Sequence, residues 1–279
     1  MRWWCSASQG VAWTWAWQPF PGVWLVIILI ALAYAWYLRG LAAPADPEQR
    51  RHRRLQIAQF AAGLFCLWLA LDWPLGPLGS GYLASVHMVR YLLISLIAPP
   101  LLLLGLPEEA YTGLKNHRRI LAFLHNTTQP LIAFFIFNVV ISVTHWPSLV
   151  DRLMATQVGS FFLDIIWLAA GLIFWWPVVS RVPEWPGFTY VWKLAYLGFN
   201  GILIRPVFFI LLFSKFPAYA TYELAPPIGR TSAWSDQQLA AGVMKLGSAW
   251  IMVIAMAFVF AAWVRASEKS ARASTAAPS

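Results

Sequence analysis

The sequence predicts an all-α integral membrane bundle of seven transmembrane helices, and three observations carry that prediction. Of its 279 residues, 60% are apolar and only 11% are charged, against about a quarter charged in a soluble chain. Seven segments are each apolar enough to cross a bilayer, a task that takes about 17–25 mostly apolar residues. Lys and Arg gather in alternate loops between those segments.

Residues 1–21, with "WWCSASQGVAWTWAW", form a Trp-rich outer segment expected to lie at the interface, where indole rings prefer to sit. No basic leader or small-residue cleavage site precedes the first apolar run, so it reads as a span rather than a signal peptide. The membrane domain covers 22–265, with spans at 22–38, 55–71, 82–104, 130–146, 157–179, 191–213 and 238–264. Asn138, Ser142 and His145 thin the fourth. Loop 39–54 is a polar turn, and "LPEEAYTGLKNHRR" in loop 105–129 is expected to form a short amphipathic helix on the inner surface. The outer loop 214–237 is rich in Pro, Tyr and Ala. Residues 266–279 are small and polar, and a disordered cytoplasmic tail is expected there. There is no internal repeat, which argues against a transporter built from inverted halves.

The net charge is +9. Twelve of the twenty Lys and Arg fall in loops on one side: Arg39, Arg50, Arg51, Arg53, Arg54, Lys115, Arg118, Arg119, Arg181, Arg265, Lys269 and Arg272. Arg2, Arg152, Lys215 and Arg230 lie on the other. The positive-inside rule then puts the N-terminus outside and the C-terminus in the cytoplasm. No soluble basic face is left for nucleic acid. Cys5 and Cys66 differ in depth, and there is no CxxC or CxxCH, so disulfide, thiol-redox and covalent haem chemistry find no support.

Charges inside a bilayer are costly and mark sites. Arg90, Asp164, Arg205 and Lys245 are of this kind, each about 10–12 Å below the outer end of its span at 1.5 Å per residue. They predict a polar chamber open to the outside. Asp164 is expected to pair with one cation, Arg205 being favoured because the fifth and sixth spans are consecutive. The bland alternative is one structural bridge with the other cations snorkelling outward. Even then one acid cannot neutralise three cations, so water or an anionic ligand must contribute.

His87 and His145 face the outer end of the bundle, with Met88 and either Met154 or Met244 nearby. Imidazole and thioether suit copper, cuprous copper above all, although Met is also a common filler of irregular cores. His52, His117 and His125 read as ordinary surface residues. Pro99 and Pro100 are expected to kink the third span by freeing the carbonyls of Ser95 and Leu96.

The stretch "SVHMVRYLLISLIAPPLLLLGLP" at 85–107 resembles the CtaG family of bacterial cytochrome c oxidase assembly factors, in which an "HMxxH" start runs into "APPLLxLG". "THWPSLVD" at 144–151, "LIFWWPVV" at 172–179 and "DQQLAAGVMKLG" at 236–247 follow in the family's order, so the resemblance covers 55–265. It implies a seven-span protein of the bacterial cytoplasmic (inner) membrane that assists assembly of a respiratory haem-copper oxidase and catalyses no reaction itself. It also implies copper handling on the outer side through His87, Met88, His145 and Met244. Its partners would be the lipid bilayer and oxidase subunits or other assembly factors. Asp236, Gln237, Gln238 and Gly242 match the motif opening the last span. Three stretches depart from the family. Tyr91 replaces the second histidine of "HMxxH", Gln157 and Asp164 stand in the segment where the family has further histidines, and Lys245 replaces Trp. Two rival readings remain: a membrane carrier or anion-binding protein whose chamber uses Arg90, Arg205 and Lys245, and a structural partner subunit. The copper reading requires the His87 and His145 side chains to approach one another at the outer mouth.

Overall fold

A computed structural model describes residues 2–7, 10–113, 117–179, 188–203 and 205–275. Lys115 and Arg181, two cations of the topology argument, lie outside the described residues. Among the described residues every regular element is helical. The first half comprises α1 (Pro21–Arg39), α2 (Pro47–Leu71), α3 (Leu75–Gly81), α4 (Ala84–Leu92), α5 (Ala98–Gly105), α6 (Glu108–Gly113) and α7 (Arg118–Thr127). The second comprises α8 (Pro130–Thr144), α9 (Pro147–Met154), α10 (Gln157–Val179), α11 (Tyr190–Ile202), α12 (Pro206–Phe213), α13 (Ala220–Glu223), α14 (Ala233–Gly242) and α15 (Ser248–Thr275). Proline opens α1, α2, α8, α9 and α12, where its missing N–H is an orphan in any case. Asp46 caps α2 by accepting from the Gln49 amide at 2.7 Å.

Among the described residues six helical stretches are long and apolar enough to cross a membrane, and a seventh exists if α7 and α8 count as one span bent by 75°. Pro130 explains the bend, since it forces Gln129 into extended backbone and stops α7 from running on. The amphipathic helix expected before it is realised as α6 and α7. Pro99 and Pro100 fall in the first turn of α5. A π-helical turn, Leu93–Ile97, joins α4 to α5 and absorbs the register change. The Ser95 carbonyl then lies so close to α10 that a Cβ on Gly171 would sit 2.3 Å from it. Only glycine fits there. A second π-helical turn, Val243–Gly247, joins α14 to α15.

α2 packs along α5, and α10 packs on α5 and α8, so these helices hold the core. α11 leans instead on α15. α1 touches mainly α2 and leaves Leu25, Ile28, Leu29, Leu32 and Trp36 exposed, as a lipid-facing helix would. Two expectations need correction. The Trp-rich segment does not lie wholly on the interface: Trp15 and Trp17 are exposed, but Trp4 and Cys5 are fully buried in the bundle. The helix α15 also continues through 266–275, where disorder was expected. Its Ala, Glu, Lys and Arg are good helix formers, and the Ser267 and Ser270 hydroxyls bond back to the carbonyls of Trp263 and Ala266.

Candidate functional site

The third span carries two buried polar clusters one turn apart. The first is centred on Arg90, which has no exposed surface. Its Nη2 donates to both carboxylate oxygens of Asp164 at 3.0 Å. Nε donates to the Ala70 carbonyl at 2.9 Å, and Nη1 to the Ser80 hydroxyl at 2.8 Å. Trp4 completes the cluster by donating its indole N–H to Asp164 at 2.9 Å. Gln157 anchors that segment by accepting from the amides of Trp3 and Trp4. Gly79 lets α3 close over the guanidinium, since a Cβ there would meet Arg90 Cδ at 2.5 Å. The expected Asp164–Arg205 pairing is therefore wrong; Asp164 pairs with Arg90. Consecutive order misled because α11 packs on α15 rather than along α10, and because its span breaks at Arg205, held extended before Pro206.

The second cluster is built from His87 on α4, Tyr91 one turn later, and His145 at the end of α8. All three are fully buried. The His87 and His145 ring centroids lie 5.5 Å apart, and Tyr91 lies 4.9 Å from His145. Trp167 of α10 stacks on His145 at 5.0 Å and meets His87 edge-on at 5.1 Å. Its indole N–H is held by the Thr144 hydroxyl at 2.9 Å, which fixes the ring. His145 Nδ1 bonds the Ile141 carbonyl at 2.9 Å, leaving Nε2 free. Both nitrogens of His87, Nε2 of His145 and the Tyr91 hydroxyl have no partner. Met88 and Met244 are buried in the surrounding core. Among the described residues, no group of three or more His, Cys, Asp or Glu is arranged to hold a metal.

The remaining candidates do not share one open chamber. Asp236 caps α4 from a distance in sequence, accepting from the amides of Ala84 and Ser85 and from the Ser85 hydroxyl. Gln237 binds the Ala218 amide at 2.5 Å and the Leu211 carbonyl at 3.1 Å, holding the loop after α12. Lys245, placed by its π-helical turn, donates to the carbonyls of Gly201, Ile202 and Leu203 that end α11. Arg205 is buried beside Asn200, its Nη2 donating to Oδ1 at 3.3 Å. Arg90 found an acid and Lys245 a set of carbonyls, whereas Arg205 found only an amide oxygen.

Several contributors escaped the sequence reading. Tyr219 and Tyr222, flanking the start of α13 and within it, fold over the histidines. Tyr219 donates its hydroxyl to the His145 carbonyl at 2.9 Å and Tyr222 to the Gly79 carbonyl at 2.7 Å, with the Tyr222 ring 5.9 Å from His87. Asp151 pins this strap by accepting from the amides of Ala220 and Thr221 and from the Thr221 hydroxyl. Asp151 closes the quoted "THWPSLVD", but nothing local announces its partner 70 residues on. Trp4 gave no signal beyond a Trp-rich setting.

A family model described as cytochrome c oxidase caa3 assembly factor (Caa3_CtaG) matches residues 32–266. The chain belongs to that family. The match takes in both buried clusters and the strap, and leaves Trp4 outside it. Uncharacterised proteins of Mycobacterium bovis and Mycobacterium tuberculosis are each 25% identical over 253 residues, covering 79% of this chain and 36% of theirs. The chain thus spans about a third of the length of the curated relatives it matches. No solved structure matches it.

Proposed function

We propose that the chain assists assembly of a haem-copper oxidase in the bacterial cytoplasmic membrane, without a catalytic reaction, by holding copper(I) transiently between His87 and His145 on the outer side. The single observation that supports this is the set of unpaired ring nitrogens on two buried, adjacent imidazoles. A buried polar atom without a partner costs about 1–3 kcal/mol, and neutral imidazole is a good donor to copper(I). Copper is cargo in this reading. Tyr91 supplies a phenol, a poor ligand for copper(I), so the hold is weak and release to an oxidase subunit or a second assembly factor is easy. Met88 and Met244 are the soft side chains available as a third ligand.

The same reading puts the N-terminus outside and the C-terminus in the cytoplasm. Labelling of Asp46→Cys and Arg230→Cys, both exposed, should then occur from opposite faces of the membrane. Function is tested by measuring oxidase copper and haem content in membranes lacking this gene and in strains complemented with wild type or His87→Ala. Wild type should restore the oxidase and His87→Ala should not. Full restoration by His87→Ala would remove the histidine pair from the function.

A further inference from the structure

Arg90, Lys245 and Arg205, three of the intramembrane cations, differ in how their charge is met. Arg90 has the Asp164 carboxylate. Lys245 has three carbonyl oxygens at the negative end of α11. Arg205 has neither. It is 4% exposed, and among the described residues no carboxylate lies within ion-pair distance of it. Among the described residues its side chain donates one hydrogen bond, to a neutral amide oxygen, Asn200 Oδ1. The face of Phe137, 5.6 Å from the guanidinium carbon, returns a fraction of the cost by cation–π attraction. A guanidinium buried without a counter-charge is a strongly unfavourable arrangement.

The unpaired atoms beside it specify what is missing. Arg205 Nε and Asn200 Nδ2 are both buried without a partner, and both can only donate. Nearby charge is positive too: Lys245 lies within electrostatic reach of the guanidinium. Arg205 also forms the N-cap of α12, an eight-residue helix with no side-chain cap, whose dipole adds positive potential at that end. Convergent donors and an unmet positive charge describe an anion site. With Lys245 already held by three carbonyls, the one unmet charge is that of Arg205, which matches one small monovalent ion.

We propose that Arg205 and Asn200 form a binding site for one small monovalent anion of the chloride or carboxylate class, lodged at the break between α11 and α12. Arg205 lies within electrostatic reach of Tyr91 and His145, but the anion site uses Arg205 and Asn200 and is tested without reference to copper.

Equilibrium dialysis of the full chain, purified in detergent and exchanged into gluconate, tests this with labelled chloride. One saturable chloride per chain is expected, displaced by bromide or formate and not by sulfate. Displacement by formate with weak chloride binding would assign a carboxylate and keep the site. Arg205→Gln should weaken binding at least ~10-fold, equivalent to one lost charge-assisted hydrogen bond at 1.4 kcal/mol per decade, and Arg205→Lys should weaken it less. If Arg205→Gln does not fold, crystals of wild type grown in bromide decide by anomalous scattering, with the ion expected against Arg205 and Asn200. No saturable binding of chloride or formate, unchanged affinity in Arg205→Gln, or bromide bound only elsewhere would overturn the proposal.

Discussion

Arg90 and His87 sit one turn apart on α4, equally buried, and are treated oppositely by the rest of the molecule. Nε, Nη1 and Nη2 of Arg90 each donate to an oxygen, of Ala70, Ser80 and Asp164 in turn. His87 has two ring nitrogens and neither has a partner. The surroundings of Arg90 come from four distant parts of the chain, including a tryptophan from the N-terminal segment, whereas the surroundings of His87 are aromatic faces that exclude water and offer nothing in return. Satisfaction marks structure, and a buried group left unpaired at the same depth calls for an explanation, which the proposed copper site supplies. The comparison separates a lock from a candidate site without appeal to either residue's type.

The largest effect that could break this comparison is on stability. Asp164→Ala leaves the Arg90 charge buried and unpaired, and should cost ~3–5 kcal/mol, seen as a large fall in melting temperature of the purified protein. His87→Leu removes no hydrogen bond and should shift stability by less than ~1 kcal/mol. Equal losses in the two variants would erase the distinction. Gly79→Ala comes next: its Cβ would collide with Arg90 Cδ, and overpacking of this kind costs ~1–3 kcal/mol.

Smaller effects sharpen the picture at the edges of both clusters. Asp151→Ala removes the acceptor that pins the strap over the histidines. The amides of Ala220 and Thr221 should then exchange with solvent deuterium ~10-fold faster or more, the equivalent of 1.4 kcal/mol of local opening. The least of the expected effects concerns Cys5, beside Trp4. Burial pushes its thiol pKa up, well above the ordinary range, and the side chain is inaccessible. Maleimide should label it slowly at neutral pH, and Trp4→Phe, by loosening the segment from Asp164, should speed that labelling modestly.

How much of this was legible in the sequence follows from the range of the interactions involved. Spans are local: the apolar runs at 157–179 and 82–104 reappear as α10 and as α4 to α5 almost residue for residue. The four intramembrane charges were also visible, because a charge in an apolar run stands out by itself. Their partners were not. Asp164 meets Arg90 across 74 residues, and hydropathy carries no information on which helices touch. The breaks were less legible. The run at 191–213 reads as one span straight through Pro206, where the helix in fact breaks, and the π-helical turn that swings Lys245 onto the end of α11 has no local marker. The N-terminal segment was misplaced for a related reason: tryptophan favours an interface on average, and Trp4 departs from that average because Asp164 offers it an acceptor inside the bundle. His87 and His145 were singled out by residue type and family motif, yet their unpaired state, which gives them their meaning here, is a property of the packed structure.

Copper(I) binding by the purified protein, measured by competition against a chromophoric chelator, tests the central claim most directly. Wild type should bind one copper(I) per chain, His87→Leu should bind none while remaining folded, and Tyr91→His should bind more tightly than wild type by supplying a third imidazole. Wild-type binding that persists in His87→Leu, or no binding in wild type and Tyr91→His alike, would contradict the account.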